Sequence, residues 1–161
     1  MLYYFDTSAL VKLYHEEKGS EKVKFLYEDL NAENCISQLT YTEFYSTLYK
    51  KLRTREIENE RVIQEVIKSF EIDMQYEWVI EVDENIFRET RNIISKYAAD
   101  YSIRTLDAIH LACAGWLAET DETIFISSDK TQLEVAYTMG LDVINPEDPD
   151  QRIAEKLVVM K

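Results

Sequence analysis

Short apolar runs alternate along the chain with longer segments in which apolar residues recur at helical spacing. The short runs predict five strands, at residues 2–5, 34–37, 78–80, 123–127 and 142–144. The longer segments predict helices at 9–14, from 20 onward, at 38–73 with a break near Thr54, and at 83–99, 106–118 and 129–139. Strands that alternate with helices and carry few polar residues are typical of a parallel sheet with helices on both faces. We therefore predict an α/β fold, a three-layer α/β/α sandwich with a central parallel sheet.

The length and the even patterning indicate one unit. The chain has 161 residues and shows no internal repeat, linker or low-complexity segment. We predict a single domain over residues 1–161, with a short C-terminal tail over 146–161 in which 153–160 is amphipathic.

The chain is strongly acidic, with 31 acidic and 18 basic residues and a net charge of −13. A protein of this charge is poorly suited to hold nucleic acid through bulk electrostatics. If nucleic acid is its substrate, a local device such as a basic strip or bound cations is required.

Neither a signal sequence nor a membrane span is predicted. The N-terminal apolar stretch is interrupted by Asp6 and Lys12, and the longest apolar run, 111–118, is far short of the ~20 residues of a spanning helix. Cys35 and Cys113 form no metal-binding motif and lie among apolar neighbours. We expect a cytoplasmic protein with reduced core thiols and no membrane association.

Four acids occupy positions that a solvated surface does not explain. Asp6 and Asp129 each follow a predicted strand and precede a helix, so a helix N-cap is the alternative for both. Asp107 lies in the first turn of an almost wholly apolar helix, where its alternative is an ion pair with Arg104. Glu43 follows the second strand and, taken alone, is a surface acid.

The topology brings these acids together. If the strands are parallel, their carboxyl ends share one edge of the sheet, where Asp6, Glu43 and Asp129 would converge and Asp107 would join from a helix N-terminus. Four carboxylates in one cleft resist ionising together unless a cation is present. Oxygen ligands favour Mg²⁺ or Mn²⁺, ions that support displacement at phosphate.

The motifs around these acids resemble the PIN domain, in particular the VapC-type ribonuclease toxins of bacterial and archaeal toxin–antitoxin pairs. The resemblance covers nearly the whole chain in the right order. It is carried by Phe-Asp-Thr-Ser-Ala-Leu at 5–10, Thr-Tyr-Thr-Glu-Phe at 40–44, Arg-Thr-Leu-Asp-Ala-Ile-His-Leu-Ala at 104–112 and Ser-Ser-Asp at 127–129.

The resemblance implies a PIN-like fold and metal-dependent cleavage of RNA, often by a homodimer under the control of an antitoxin that lays a segment into the acidic cleft. Mg²⁺ or Mn²⁺ would be held by Asp6, Glu43, Asp107 and Asp129. Ser8 and Ser127 match the family's polar residues that support these acids.

Three other functions remain open at this point. A PIN fold can bind RNA or protein without cutting, and a PIN nuclease can process RNA without any antitoxin. A phosphatase with an aspartyl nucleophile also places an acid after the first strand, but it usually shows a second acid two residues later, where this chain has Ser8.

The densest basic run lies a short way beyond Glu43. Lys50, Lys51, Arg53 and Arg55 could hold an RNA backbone, or they could complement the dipole at a helix C-terminus.

Two further features have a structural and a functional interpretation. His110 lies one turn after Asp107 and is either a packed core histidine or a donor to the acids. Tyr41, Tyr45 and Tyr49 form one helical stripe, which favours core packing or a dimer surface over base stacking.

Overall fold

The computed structural model describes residues 1–149, and five parallel strands form one sheet within them. The strands are β1 (Leu2–Phe5), β2 (Glu33–Ser37), β3 (Trp78–Ile80), β4 (Thr123–Ile126) and β5 (Asp142–Ile144), in the order β3-β2-β1-β4-β5. The predicted parallel sheet is confirmed. The amphipathic segment predicted at 153–160 lies outside the described residues.

Helices cover both faces of the sheet, which confirms the three-layer sandwich. One face carries α1 (Thr7–Leu10), a 3₁₀ turn (Val11–Leu13), α2 (Ser20–Tyr27), α3 (Leu39–Arg53) and α4 (Glu60–Asp73). The other face carries α5 (Glu84–Tyr97), α6 (Thr105–Ala118) and α7 (Lys130–Thr138).

Strand β1 lies in the centre and is buried on both sides. Leu2 and Tyr4 pack into the core beneath α5, α6 and α7, while Tyr3 and Phe5 pack into the opposite core. Full burial of side chains of this size contributes roughly 1.5–3 kcal/mol each to stability. This explains why the first strand is apolar at every position.

The tyrosine stripe on α3 packs against α4, as its structural interpretation predicts. The Tyr41 ring meets Phe70 edge-on at 5.3 Å between centroids. The Tyr45 hydroxyl donates to Glu71, and the Tyr49 hydroxyl accepts from Gln64 at 3.4 Å. The three side chains are partly buried beside the core.

The strand register aligns the ends of β1 and β4. Leu2 lies opposite Thr123 and Phe5 lies opposite Ile126. The backbone N–H of Asp6 then donates to the carbonyl of Ile126 at 2.9 Å. Residues that follow these two central strands therefore emerge side by side at one edge of the sheet.

Gly19 makes the turn that leads into α2. Its φ is 91°, and a Cβ at this position would lie 2.8 Å from the carbonyl oxygen of Pro146. Glycine is required here, because a Cβ would be disfavoured by the left-handed backbone and would clash with Pro146.

None of the helices within residues 1–149 has the length and apolar character needed to cross a lipid bilayer.

Candidate metal centre and its cleft

Asp6 stands at the carboxyl end of β1 and is buried. Its Oδ2 accepts hydrogen bonds from the Ser8 N–H at 3.1 Å, the Ser8 hydroxyl at 2.6 Å and the Ser127 hydroxyl at 3.1 Å. Asp6 is thus the N-cap of α1, the alternative that the sequence offers for it. The two serines fix its orientation.

Glu43 reaches the same point from the second turn of α3. Its Oε2 accepts from the Thr7 hydroxyl at 2.6 Å and lies 2.6 Å from Nε2 of His110. His110 Nε2 also lies 3.4 Å from Oδ1 of Asp6. The histidine ring therefore links the two carboxylates.

The other side of the His110 ring is held by the core. Nδ1 lies 2.8 Å from the hydroxyl of Tyr4, whose ring stacks on Phe125 with 5.6 Å between centroids. Both interpretations of His110 are therefore correct: it is a packed core histidine, and it donates to an acid.

Electrostatics in this group follow from burial and pairing. Burial alone would raise the pKa of Glu43, but the hydrogen bond and charge of His110 outweigh it and hold that pKa below its usual range. Burial alone would lower the pKa of His110, but the charges of Asp6 and Glu43 raise it. The structure thus favours a carboxylate at Glu43 and a proton on Nε2 of His110, the nitrogen that faces this carboxylate.

Asp107 lies in the first turn of α6 and pairs with Arg104. Its Oδ2 accepts from the Arg104 backbone N–H at 3.0 Å and from Nε at 3.1 Å. The ion pair that is the alternative interpretation of Asp107 is therefore present.

Asp129 is the N-cap of α7, the alternative that the sequence offers for it. Its Oδ1 accepts from the backbone N–H of Gln132 at 3.0 Å, and its Oδ2 lies 3.9 Å from Nη2 of Arg104. The Gln132 side chain accepts from Ser127 at 2.9 Å and donates to the Asp107 carbonyl at 3.3 Å. Buried Gln132 therefore ties the ends of β4, α6 and α7 together.

These acids line one cleft of about 460 Å³, which we term the acid cleft, bordered by Asp6, Glu43, Asp107 and Asp129. Within it, Asp6, Glu43 and His110 offer ligand atoms within 4.8 Å of one another. Asp107 and Asp129 border the same cleft but are not part of this close group; each of them contacts the guanidinium of Arg104. The sequence offers His110 as a donor to the acids, because it is a strongly polar residue one turn after Asp107 on an apolar helix, but it does not place His110 among the metal ligands.

A chain of ion pairs forms the far wall of the acid cleft. Lys12 Nζ donates to Glu17 at 2.9 Å and to Glu147 at 2.8 Å, and Lys51 Nζ donates to Glu17 at 2.8 Å and to Glu56 at 3.0 Å. Both lysines are buried. Both ammonium groups of this wall are therefore paired, and its three glutamates outnumber its two lysines.

The basic run divides between this wall and the solvent. Lys50 and Lys51 both border the acid cleft, with Lys50 exposed and Lys51 held by its two glutamates. Arg53 and Arg55 are exposed near the end of α3 and do not border the cleft.

The PIN domain family matches residues 3–138, most of the chain. The chain belongs to the PIN domain family. This assignment confirms the resemblance that the motifs indicate.

Solved structures with this PIN fold include components of toxin–antitoxin complexes. FitAcB from Neisseria gonorrhoeae superposes with a TM-score of 0.67 at 16% identity, covering 89% of this chain and 97% of that one. A toxin–antitoxin complex from Klebsiella pneumoniae superposes with a TM-score of 0.61 at 17% identity, covering 89% of this chain and 97% of that one. VapBC2 from Rickettsia felis, bound to a DNA fragment from its promoter, superposes with a TM-score of 0.63 at 14% identity, covering 90% of this chain and 98% of that one. No curated protein matches the chain.

The residues of this PIN domain fit a hard divalent cation. The cleft offers four carboxylates, whose oxygens are the donors that Mg²⁺ and Mn²⁺ prefer. Ser128 also borders the cleft, and its hydroxyl oxygen is buried without a hydrogen-bond partner among residues 1–149. A buried polar atom of this kind is normally satisfied by a ligand or an ordered water.

Proposed function

We propose that the protein is a metal-dependent endoribonuclease that cleaves RNA phosphodiester bonds and is the toxin of a toxin–antitoxin pair. Mg²⁺ or Mn²⁺ would be held by Asp6, Glu43, Asp107 and Asp129. The observation that carries the proposal is the convergence of these carboxylates, from segments more than a hundred residues apart, on one cleft.

A divalent cation bound in this cleft would lower the pKa of a water and offset the charge that builds on the phosphate oxygens. The chain's own residues supply orientation. Ser8 and Ser127 hold Asp6, while Thr7 and His110 hold Glu43. Such supporting hydrogen bonds keep carboxylates in position before substrate arrives.

The RNA path that we propose leads from the carboxylates along α3. Glu43, Thr47 and Lys50 border the cleft on successive turns of this helix. Glu43 and Lys50 are seven residues apart on α3, which is about 10 Å along the helix axis. The exposed Lys50 ammonium at that distance suits a phosphate that flanks the scissile one. Arg53 and Arg55 would bind phosphates further along the RNA.

We further propose an antitoxin partner that places a cationic segment in the acid cleft, a homodimer as the active assembly, and action in the cytoplasm. The neighbouring structures support the first point, because they are toxin–antitoxin complexes. The carboxylates that line the cleft outnumber its basic groups, so the cleft is suited to a cationic segment of an antitoxin.

The test is cleavage of a single-stranded RNA with and without Mg²⁺ or Mn²⁺. We expect cleavage by the wild type and its loss in Asp6→Asn and Asp107→Asn, with unchanged circular dichroism and melting temperature. Asp142→Asn is the matched control, because Asp142 is exposed on β5 outside the cleft. It should cleave normally.

Other outcomes point to the alternatives. Full activity in both cleft variants would disprove the proposal. RNA binding without cleavage by the wild type would favour a non-catalytic PIN module. Cleavage in a cell that encodes no antitoxin would favour an RNA-processing nuclease, and turnover of a phosphomonoester would favour a phosphatase.

A further inference from the structure

Arg104 is an exposed cation that pairs with two carboxylates of the acid cleft, Asp107 and Asp129. Its Nε is 3.1 Å from Oδ2 of Asp107 and its Nη2 is 3.9 Å from Oδ2 of Asp129. The charge of Glu43 also acts on it and helps to raise the pKa of its guanidinium, after the larger effects of Asp107 and Asp129. One guanidinium therefore contacts two of the four carboxylates proposed as metal ligands.

The hold on this guanidinium is weak. The Arg104 side chain is 77% exposed, whereas those of Asp107 and Asp129 are 18% and 36% exposed. An ion pair this open to water changes an equilibrium by a factor of about five at most. The backbone N–H of Arg104 bonds Asp107 separately, so the carboxylate stays oriented when the guanidinium leaves.

The two buried lysines on the cleft are less able to move than Arg104. Lys12 and Lys51 are buried, and each already holds two carboxylates. Exchanging one of these partners for a ligand would leave a buried charge unpaired, which is costly. Arg104 has no such constraint, and its guanidinium presents five donors in a fork that matches two phosphate oxygens.

We propose that Arg104 is a substrate-binding residue that a divalent cation displaces from Asp107 and Asp129 and that then binds a phosphate of the RNA. This inference rests on the proposed function and assigns the chain's own residue a role within it. Cation binding and substrate binding are thereby linked, because the arrival of the metal releases the donor that the phosphate needs.

The first test measures Mn²⁺ binding to the protein alone, by calorimetry or electron paramagnetic resonance. Arg104→Gln should bind Mn²⁺ about two- to fivefold more tightly than the wild type, because the competing charge is gone. Arg104→Lys keeps the charge and should stay near the wild type. Arg91→Gln is the matched control, since Arg91 is 63% exposed and pairs with Glu84 at 3.1 Å on a helix that does not border the cleft.

The second test measures RNA binding at saturating Mn²⁺. In Arg104→Gln, KM should rise about tenfold while kcat changes by less than about threefold, and Arg104→Lys should recover part of the loss. Should the wild type bind Mn²⁺ without cleaving RNA, the dissociation constant of the intact RNA, measured by fluorescence anisotropy, replaces KM. The proposed function would then fail while both tests of Arg104 stand.

Two results would overturn the inference. Equal or weaker Mn²⁺ binding in Arg104→Gln would show that Arg104 supports the acids and does not compete with the cation. Unchanged KM or RNA affinity in the same variant, at equal Mn²⁺ occupancy, would show that it does not bind the phosphate.

Discussion

His110 Nε2 and Glu43 Oε2 lie 2.6 Å apart although the two residues are separated by 67 positions in the chain. A carboxylate can only accept at this distance, so Nε2 carries the proton and donates it to Glu43. The contact joins the helix layers on the two faces of the sheet at the edge where the acids converge. It holds Glu43 by a charge-assisted hydrogen bond.

His110→Phe should weaken Mn²⁺ binding by about 10- to 100-fold, the usual cost of losing a group that orients a metal ligand. The free energy of unfolding should also fall by about 1–3 kcal/mol, because Glu43 and the Tyr4 hydroxyl lose a partner. Calorimetric Mn²⁺ titration and urea unfolding measure the two effects. Equal Mn²⁺ affinity in His110→Phe and the wild type would mean that Glu43 is positioned without the histidine.

Gly19→Ala should destabilise the protein far more than Gly140→Ala does. Both glycines have a left-handed backbone, with φ of 91° and 93°, so both substitutions carry a conformational cost of about 1 kcal/mol. Only at Gly19 does the added Cβ meet backbone, at 2.8 Å from Pro146 O, whereas nothing lies within 4 Å at Gly140. We expect a total loss of about 2–4 kcal/mol at Gly19.

Thermal melting of the two glycine variants measures this difference directly. The lower melting temperature should belong to Gly19→Ala, and equal melting temperatures would show that the turn beside Pro146 adjusts freely.

The pairing of Glu17 with Lys12 and Lys51 should make stability depend on acidic pH. Burial raises the pKa of the Glu17 carboxyl, but the hydrogen bonds from the two lysines outweigh it and hold the pKa below its ordinary value of 4.5. Because the folded pKa is depressed, the stabilisation is complete above about pH 4.5 and is lost as pH falls through the folded value.

Glu17→Gln isolates this contribution. The variant should be about 1–3 kcal/mol less stable than the wild type at pH 7, and the gap should narrow below pH 4.5. Urea unfolding at pH 7, 5 and 3.5 measures it. Glu84→Gln, in an exposed pair with Arg91, should differ little from the wild type at any of these values, and a constant gap for Glu17→Gln would contradict the mechanism.

Cys35 and Cys113 should be unreactive in the folded protein. Burial raises the pKa of each thiol to about 12, and both side chains are inaccessible. At pH 8 the thiolate that attacks a disulfide reagent is therefore almost absent. A colorimetric thiol assay should detect no fast-reacting thiol in buffer and two in urea, and a fast-reacting thiol in buffer would contradict the burial.

The fold was readable from the sequence because its strands are buried on both faces. Runs such as those at 2–5 and 123–127 contain almost no polar residue, and the helices between them keep their period. Small differences occur at boundaries, where α1 begins at Thr7, two residues before the predicted start at residue 9.

The cleft was predictable only as far as backbone topology determines it. The parallel order places Asp6, Glu43, Asp107 and Asp129 along one edge, and no side-chain detail is needed for that. The ion pairs could not all be predicted from the sequence. Lys51 pairs with Glu17 across 34 residues, and Arg104 bridges two acids at the starts of different helices. Such contacts depend on rotamers and exposure, which sequence spacing does not encode.

The stacking of Tyr4 on Phe125 extends the influence of the core into the cleft. Phe125 sets the tilt of the Tyr4 ring, Tyr4 anchors His110, and His110 in turn aims Glu43. Exchange of an interior aromatic residue would therefore re-aim Glu43 while leaving every side chain that lines the cleft intact.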